Sequence, residues 1–171
     1  AVACVALLAA QTVRRNEAYR SEAAMWADVV ADRPDHYRGH QQLGVALLVA
    51  GDPAGAEAAF RQALAHAPPD PGWTAAVRDE LGMALAAQGR HAEAAAEFGA
   101  VLRDRPRSVA VARRLARSLL ALGRKEDAAE LTRWAGPPDR EPRGGAAVSS
   151  PDDLPETVRE PAAGAARATA P

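Results

Sequence analysis

The sequence predicts an all-α fold built from repeated helix pairs, and two observations on its 171 residues support that prediction. Alanine, the strongest helix former, supplies 44 residues, whereas isoleucine is absent and aromatic residues make up only 4% of the chain. In addition, a set of small, apolar and proline residues recurs at intervals of 34 to 38 residues. The composition argues against a β-sandwich and against a large parallel sheet.

Charge and cysteine content exclude further classes of protein. The formal net charge is −1, which argues against a nucleic-acid coat protein and against a polybasic membrane binder. The single cysteine, Cys4, excludes an internal disulfide framework and a cysteine-based zinc site. We therefore expect no nucleic-acid partner and no structural metal.

The repeat is marked first by a leucine followed by a small residue. The interval from the first leucine to the second is 38 residues and the next is 34, and the longer interval contains the proline-rich turn at 68–72. A glycine, an alanine and, in two units, a phenylalanine follow each pair at fixed spacing, and a proline closes the unit. The markers are Leu43-Gly44, Leu81-Gly82 and Leu115-Ala116, then Gly51, Gly89 and Gly123, then Ala56, Ala94 and Ala128, then Phe60 and Phe98, with Pro34, Pro68 and Pro106.

Each marker has a physical role in a pair of packed helices. Gly44 and Gly82 lack a side chain, so two helices can approach closely there. The glycines at 51, 89 and 123 are suited to the position after a helix, where φ is positive. The two phenylalanines follow the apolar face of their helices and are predicted to be core residues rather than ligand contacts.

These markers resemble the tetratricopeptide repeat (TPR). The segments GDPAGAEAAFRQALAHAPPD and GRHAEAAAEFGAVLRDRPRS match its second half, whereas the third unit departs from it at Ala116 and Thr132. The resemblance implies a right-handed α-solenoid of antiparallel helix pairs, with about three units and a degenerate half-unit before them. We expect these repeats to span residues 16–135.

The segment after the repeats differs in composition. Residues 136–171 contain seven of the thirteen prolines, and their apolar side chains other than alanine are Val148, Leu154 and Val158. Such a segment buries too little apolar surface to offset its ordering entropy, so it is predicted to be disordered.

The first ten residues, AVACVALLAA, are wholly apolar, and Arg14 and Arg15 follow them. Three interpretations stay open: the end of a membrane helix, the apolar region of a signal peptide, and a first helix packed on the domain. The favoured one assigns residues 1–15 to a membrane segment. Because the chain begins with Ala1 rather than Met, we expect a fragment or a processed form.

A second resemblance begins in the same region. The order of Thr12, Arg15, Asn16, Tyr19, Ser21, Glu22, Trp26 and Pro34 resembles the junction in bacterial membrane proteins related to transmembrane-and-TPR O-mannosyltransferases. It implies a membrane-anchored repeat domain that faces outside the cytoplasm. Arg14, Arg15 and Arg20 favour the cytoplasmic face, so the side stays open. The family's catalytic residues lie in membrane segments outside these 171 residues, so none carries over.

The sequence contains no constellation that predicts catalysis. The four histidines, at 36, 40, 66 and 91, form no ligand pair on one helix, and no serine lies in a nucleophile elbow. We therefore expect no cofactor and no enzymatic activity within these residues, although a full-length protein with upstream membrane segments could be an enzyme.

The predicted site is the concave groove that the first helix of each repeat forms in the resembled family. Its predicted lining is Arg38, Gln41, Gln42 and Val45 from the first unit, Asp79, Glu80 and Met83 from the second, and Arg113, Arg114 and Arg117 from the third. The three arginines suggest a cationic patch that binds a carboxylate or phosphate of a partner peptide. The alternative is a solvated face, or ion pairs with Asp79 and Glu80.

Three functional hypotheses follow. The favoured one is a membrane-tethered scaffold that binds a protein or peptide partner in its groove. A second is the accessory TPR region of a membrane glycosyltransferase of the O-mannosyltransferase kind. A third is self-association through an uncapped end of the solenoid.

Overall fold

The computed structural model describes residues 21–136 and 154–159, and within these ranges all regular structure is helical. Seven longer helices are present in these ranges, with no strand among them, and they confirm the all-α prediction. They are α1 (Glu22–Asp32), α2 (Tyr37–Val49), α3 (Pro53–Ala65), α4 (Pro71–Ala87), α5 (His91–Asp104), α6 (Val109–Ala121) and α7 (Lys125–Ala135), and a single turn, α8 (Glu156–Arg159), follows.

The chain divides into two compact units, residues 1–67 and 68–171. In the first unit α1 packs on α2, and α2 packs on α3. In the second unit α4 packs on α5, α5 on α6 and α6 on α7, and α4 also contacts α6. The pairs α2–α3, α4–α5 and α6–α7 correspond to the three predicted repeats, and α1 corresponds to the half-unit.

The close approach predicted at two glycines is confirmed. A Cβ atom built on Gly44 would lie 2.6 Å from Cε1 of Phe60, and one built on Gly82 would lie 2.6 Å from Cε1 of Phe98. Both rings are core, at 0% and 1% exposure respectively. Each ring therefore lies against the bare backbone of the preceding helix, which is why a side chain is excluded at the glycine.

The third pair, α6–α7, has neither the glycine nor the aromatic ring at the corresponding positions. Ala116 replaces the glycine and is buried on α6, while Thr132 replaces the aromatic residue and is exposed on α7. The Thr132 hydroxyl donates a hydrogen bond of 2.7 Å to the carbonyl oxygen of Ala128 in its own helix. Without a ring at this position, a Cβ on the facing helix is tolerated.

The turns inside the helix pairs also follow the prediction. Gly51, Gly89 and Gly123 have φ values of 83°, 77° and 78°, so all three occupy the left-handed region that disfavours other residues. Aspartates cap two of the helices that follow loops: Asp52 accepts from the Gly55 amide at 2.9 Å, and Asp70 accepts from the Gly72 amide at 2.9 Å.

Part of the C-terminal segment packs against α5 of the same unit. Within residues 136–171, predicted to be disordered, residues 154–159 contain a helical turn, and Leu154 and Val158 are buried at 2% and 1% exposure. The guanidinium of Arg103 donates to the carbonyl oxygen of Val158 over 3.5 Å. Val158 lies beside an apolar surface on α5, and the disorder of the segment stays a prediction.

The predicted membrane segment at residues 1–15 lies outside the described residues. Between residues 21 and 136 and between 154 and 159, no helix has both the length and the apolar character that crossing a membrane requires.

Candidate functional site

The second unit contains a cavity of about 320 Å³ between α4 and α6, to which α5 contributes two lining residues. We call it the α4–α6 cavity. Three of the predicted groove residues, Met83, Arg114 and Arg117, line it together with residues that were not predicted. Its full lining is Met83, Ala86, His91, Phe98, Arg114, Arg117 and Ser118.

The floor of the cavity is apolar and rigid. The Phe98 ring is 1% exposed because Gly82 admits it against the backbone of α4. Ala86 stands one helical turn beyond Gly82 on α4, and its short side chain leaves space above the ring. Met83, half-buried on the same helix, completes this apolar surface.

One arginine of the predicted cationic patch is neutralised by α4. Arg114 Nη1 donates to Asp79 Oδ2 over 2.6 Å, and the two side chains retain 32% and 20% of their exposure. This ion pair joins α4 to α6 beside the cavity. Arg114 therefore forms an ion pair with Asp79, as the alternative interpretation of the groove charges described, and is not a free cation.

Burial sets the protonation behaviour of the acidic partner. Desolvation raises the pKa of Asp79 above its ordinary value of 3.8, and the positive charges of Arg114 and Arg105 lower it without cancelling the effect of burial. Asp79 Oδ1 is buried and has no hydrogen-bond partner in the part of the chain that the structure describes. The pair is thus a partly desolvated ion pair with one unsatisfied oxygen.

The side chains of Arg113 and Arg117 have different surroundings. Arg113 Nη2 donates to the carbonyl oxygen of Gly136 over 3.4 Å, at the end of α7. Arg117 is exposed, lines the α4–α6 cavity, and makes no hydrogen bond or ion pair with residues 21–136 or 154–159. The three predicted cations therefore separate, and Arg117 is the one that faces the cavity without a counter-charge.

The remaining predicted residues lie on α2 and α4. Glu80 is half-buried on α4 but does not line the cavity. In the first unit Arg38 is exposed and its guanidinium lies 5.6 Å from the centre of the Tyr37 ring. Gln41, Gln42 and Val45 are partly buried on the same helix. A groove continuous from α2 to α6 stays a prediction.

Sequence reasoning missed four residues of the cavity, namely Ala86, His91, Phe98 and Ser118. Phe98 was recognised as core, but not as a ring with one face toward a cavity. Ser118 is a polar residue buried to 2% exposure on α6, and it lies one turn after Arg114. His91 lines the cavity, and its buried Nδ1 has no hydrogen-bond partner in the described ranges. An isolated serine on an otherwise apolar helix face was the available signal.

The cavity offers an apolar base, one exposed cation and a few polar atoms, which suits binding rather than bond cleavage. In the described ranges, no three side chains of histidine, cysteine, aspartate or glutamate come together as a metal site would require. The arrangement can hold an apolar side chain beside a carboxylate.

Taken together, the paired helices, the glycine–ring contacts and a cavity between successive first helices define a helical-repeat binding module. Two family models, each described as tetratricopeptide repeat, match residues 7–71 and 85–149 and together span well over half of the chain. The chain belongs to the tetratricopeptide-repeat proteins. As such it is a protein–protein interaction scaffold, and such repeats are typically non-catalytic. No curated protein matches the chain.

Proposed function

We propose that the second unit of this scaffold binds a partner peptide in the α4–α6 cavity, with an apolar side chain over Phe98 and a carboxylate on Arg117. The observation that supports this most is the combination of a buried ring at the base and an exposed, uncompensated arginine at the rim. Binding sites for small ligands and side chains commonly combine a mostly apolar lining with a few placed polar groups.

The ion pair between Arg114 and Asp79 gives the cavity its charge preference. Since Asp79 already compensates Arg114, the positive charge available to a partner is that of Arg117. A single cation beside an apolar base favours one carboxylate near one aliphatic or aromatic side chain. A highly acidic partner gains little more here, because Asp79 and Glu80 lie on the neighbouring helix.

A displayed peptide library selected on the full chain tests this proposal. We expect the selected peptides to combine an acidic residue with an apolar one, and their affinity to fall at least about tenfold in Arg117→Glu. Ala86→Phe, which fills the space over the ring, should abolish binding of the same peptides. The matched control is Arg133→Glu, at an exposed arginine of α7 remote from the cavity lining.

Equal binding of the selected peptides to the parent, Arg117→Glu and Ala86→Phe would refute the proposal. Binding should also weaken as salt is raised, because an exposed charge pair is screened. Circular dichroism of each variant establishes that the helices are retained.

Membrane tethering is a separate proposal, and it rests on the apolar sequence of residues 1–10 and on the resemblance that begins at Thr12. We propose an extracytoplasmic position for the repeats on the same basis, with the cytoplasmic face as the alternative. Fractionation of cells that express the native gene, followed by protease treatment from one side, tests both statements. Recovery of the repeats in the wash fraction would contradict tethering.

The glycosyltransferase alternative is supported only by that same resemblance. Translation of the gene upstream of Ala1 separates the two: many membrane helices with acidic loop residues favour the enzyme, and one helix or none favours the scaffold. Self-association is tested by sedimentation over a range of concentrations, where a strict monomer would exclude it.

A further inference from the structure

The second unit contains another apolar surface, on a different set of side chains from the α4–α6 cavity. One face of α5 presents four small residues there, Ala92, Ala95, Ala96 and Gly99, before Arg103. We call this surface the small-residue groove. Its other lining residues are Arg103, Leu115, Leu119, Leu122 and Arg124, with Val158 of the C-terminal segment, and none of them lines the α4–α6 cavity.

Val158 of the C-terminal segment forms part of the lining of this groove. Leu154 and Val158 are almost fully buried, and Pro155 between them is buried as well. Arg103, at the end of the groove, donates to the carbonyl oxygen of Val158 over 3.5 Å, so the segment is held by its backbone as well as by its side chains. Residues 137–153, which join it to α7, lie outside the described ranges.

The composition of the C-terminal segment independently singles out the same side chains. Leu154 and Val158, which are buried, are two of the three valine and leucine side chains among residues 136–171. Val158 lies in the helical turn and Leu154 lies two residues before the turn begins. A Leu-Pro-x-x-Val pattern in an otherwise polar and alanine-rich segment is thus matched to a surface on the repeats.

We propose that residues 154–159 are an intramolecular ligand, and that the small-residue groove is a docking site for a short helical segment with a Leu-Pro-x-x-aliphatic pattern. The segment binds in cis and covers part of the groove. A partner that presents the same pattern with a bulkier last residue displaces it.

The space beside Val158 supports the last part of the proposal. A volume of about 280 Å³ remains open within the groove next to this side chain. Leu122, at the rim, is 41% exposed although it is a large apolar residue. A leucine in place of Val158 would fill part of this space and cover Leu122, so the native segment is not the tightest ligand that the groove accepts.

A labelled peptide with the sequence of residues 151–160, PDDLPETVRE, tests cis occupancy on the full chain. In the parent protein the tethered segment competes at a high effective concentration, so binding of the peptide should be weak. In Leu154→Asp/Val158→Asp the groove is vacated, and we expect the peptide to bind at least about tenfold more tightly. A peptide that carries Val158→Leu should bind this variant more tightly still.

Two further variants serve as controls. Val49→Asp introduces one aspartate at an aliphatic residue that is 85% exposed on α2, and it should bind the peptide as weakly as the parent. Gly99→Leu, added to the double variant, should abolish peptide binding because it fills the groove. A Cβ on Gly99 meets only Arg103 Nη1, at 3.8 Å, so this change is compatible with the fold.

Hydrogen exchange on the unaltered protein gives a readout that needs no variant. The amides of Val158 and Arg159 both donate to the carbonyl oxygen of Pro155, at 2.9 and 3.2 Å, and should exchange more slowly than in the free peptide. Exchange at the free-peptide rate would overturn the proposal. So would equal peptide binding to the parent and the double variant, or no binding to the double variant at about 1 mM peptide. A dimer that forms by exchange of the segment between two chains would overturn the cis arrangement.

Discussion

At the scale of single residues, the second unit depends on one partly buried ion pair beside its cavity. Asp79 loses solvation in the folded chain, and Arg114 at 2.6 Å returns only part of that loss, so the pKa of the carboxyl stays above its ordinary value of 3.8. The folded protein therefore takes up this proton at a higher pH than the unfolded chain does. It follows that this group's contribution to the free energy of unfolding falls as the pH rises from about 3.8 through the folded-state pKa, and is constant outside that window.

Replacement of Arg114 should make this pH dependence steeper. In Arg114→Gln the carboxylate loses its counter-charge and the pKa of Asp79 should rise further, because desolvation then acts alone apart from Arg105. We expect the free energy of unfolding at pH 7 to drop by about 1–3 kcal/mol. Most of that loss should vanish below pH 3.8, where the carboxyl is protonated in both states. Urea unfolding at several pH values measures both quantities.

The control for this prediction is Arg133→Gln, at an exposed arginine of α7, which should leave the stability nearly unchanged at each pH. The double variant Asp79→Asn/Arg114→Gln should lose the added pH dependence. A stability loss in Arg114→Gln that is the same at pH 3 and pH 7 would contradict the argument.

At the scale of helices, each pair is determined by what faces the aromatic position. In two pairs a phenylalanine meets a glycine, and in the third a threonine stands where the ring would be and an alanine is allowed opposite. The two facing positions share a fixed volume, so a large side chain on one helix requires a small residue opposite it on the other. This relation also shapes the α4–α6 cavity, since the Phe98 ring forms its base only because Gly82 admits it.

A double-mutant cycle tests this dependence between α4 and α5. Gly82→Ala places a methyl group 2.6 Å from the Phe98 ring, and the resulting overpacking should lower the free energy of unfolding by about 1–3 kcal/mol. In a Phe98→Leu background the same change should cost less, because the smaller side chain leaves room. Chemical denaturation of the four proteins gives the coupling energy.

Ala116→Gly provides the matched control in the third pair. No ring faces this position, so the change should cost only the lower helix propensity of glycine, about 1 kcal/mol. Additive effects of Gly82→Ala and Phe98→Leu would show that the ring and the glycine do not depend on each other.

At the scale of the whole molecule, the chain consists of two compact units that each contain complete helix pairs. In repeat proteins the stability is close to a sum of contributions from each repeat and its neighbours. Damage to the core of one unit should therefore be confined mostly to the helices around it.

Truncation of the two core rings in turn tests this expectation. Phe60→Ala should cost about 3–5 kcal/mol and accelerate amide exchange in α2 and α3, while exchange in α6 and α7 stays as in the parent. Phe98→Ala should instead accelerate amide exchange mainly in α4 and α5. Uniform loss of protection across both units in either variant would mean that the chain unfolds as one cooperative body.

Much of this fold could be predicted from the sequence because the repeat places the same residue types at the same structural positions. The positive φ of Gly89 and the burial of Phe98 follow from local backbone sterics and from one-face periodicity, and both are properties of short segments. The candidate site was predicted less well. The three arginines of α6 lie within five residues of one another in the sequence. Which of them has a partner is decided by contacts with α4 and with the end of α7.

The sequence by itself determined the helical class, the repeated pairs, the close approach at Gly44 and Gly82 and the burial of the two phenylalanines, since these depend on residues at short and regular spacing. Only the tertiary structure decided that Asp79 compensates Arg114 and that Arg117 is left to face the cavity. It also decided that Leu154 and Val158, in a segment whose composition indicates disorder, are buried, with Val158 beside α5. The physical reason is the same for both: the free energy of these contacts comes from side chains 35 or more residues away along the chain, and local sequence patterns contain no information on such partners.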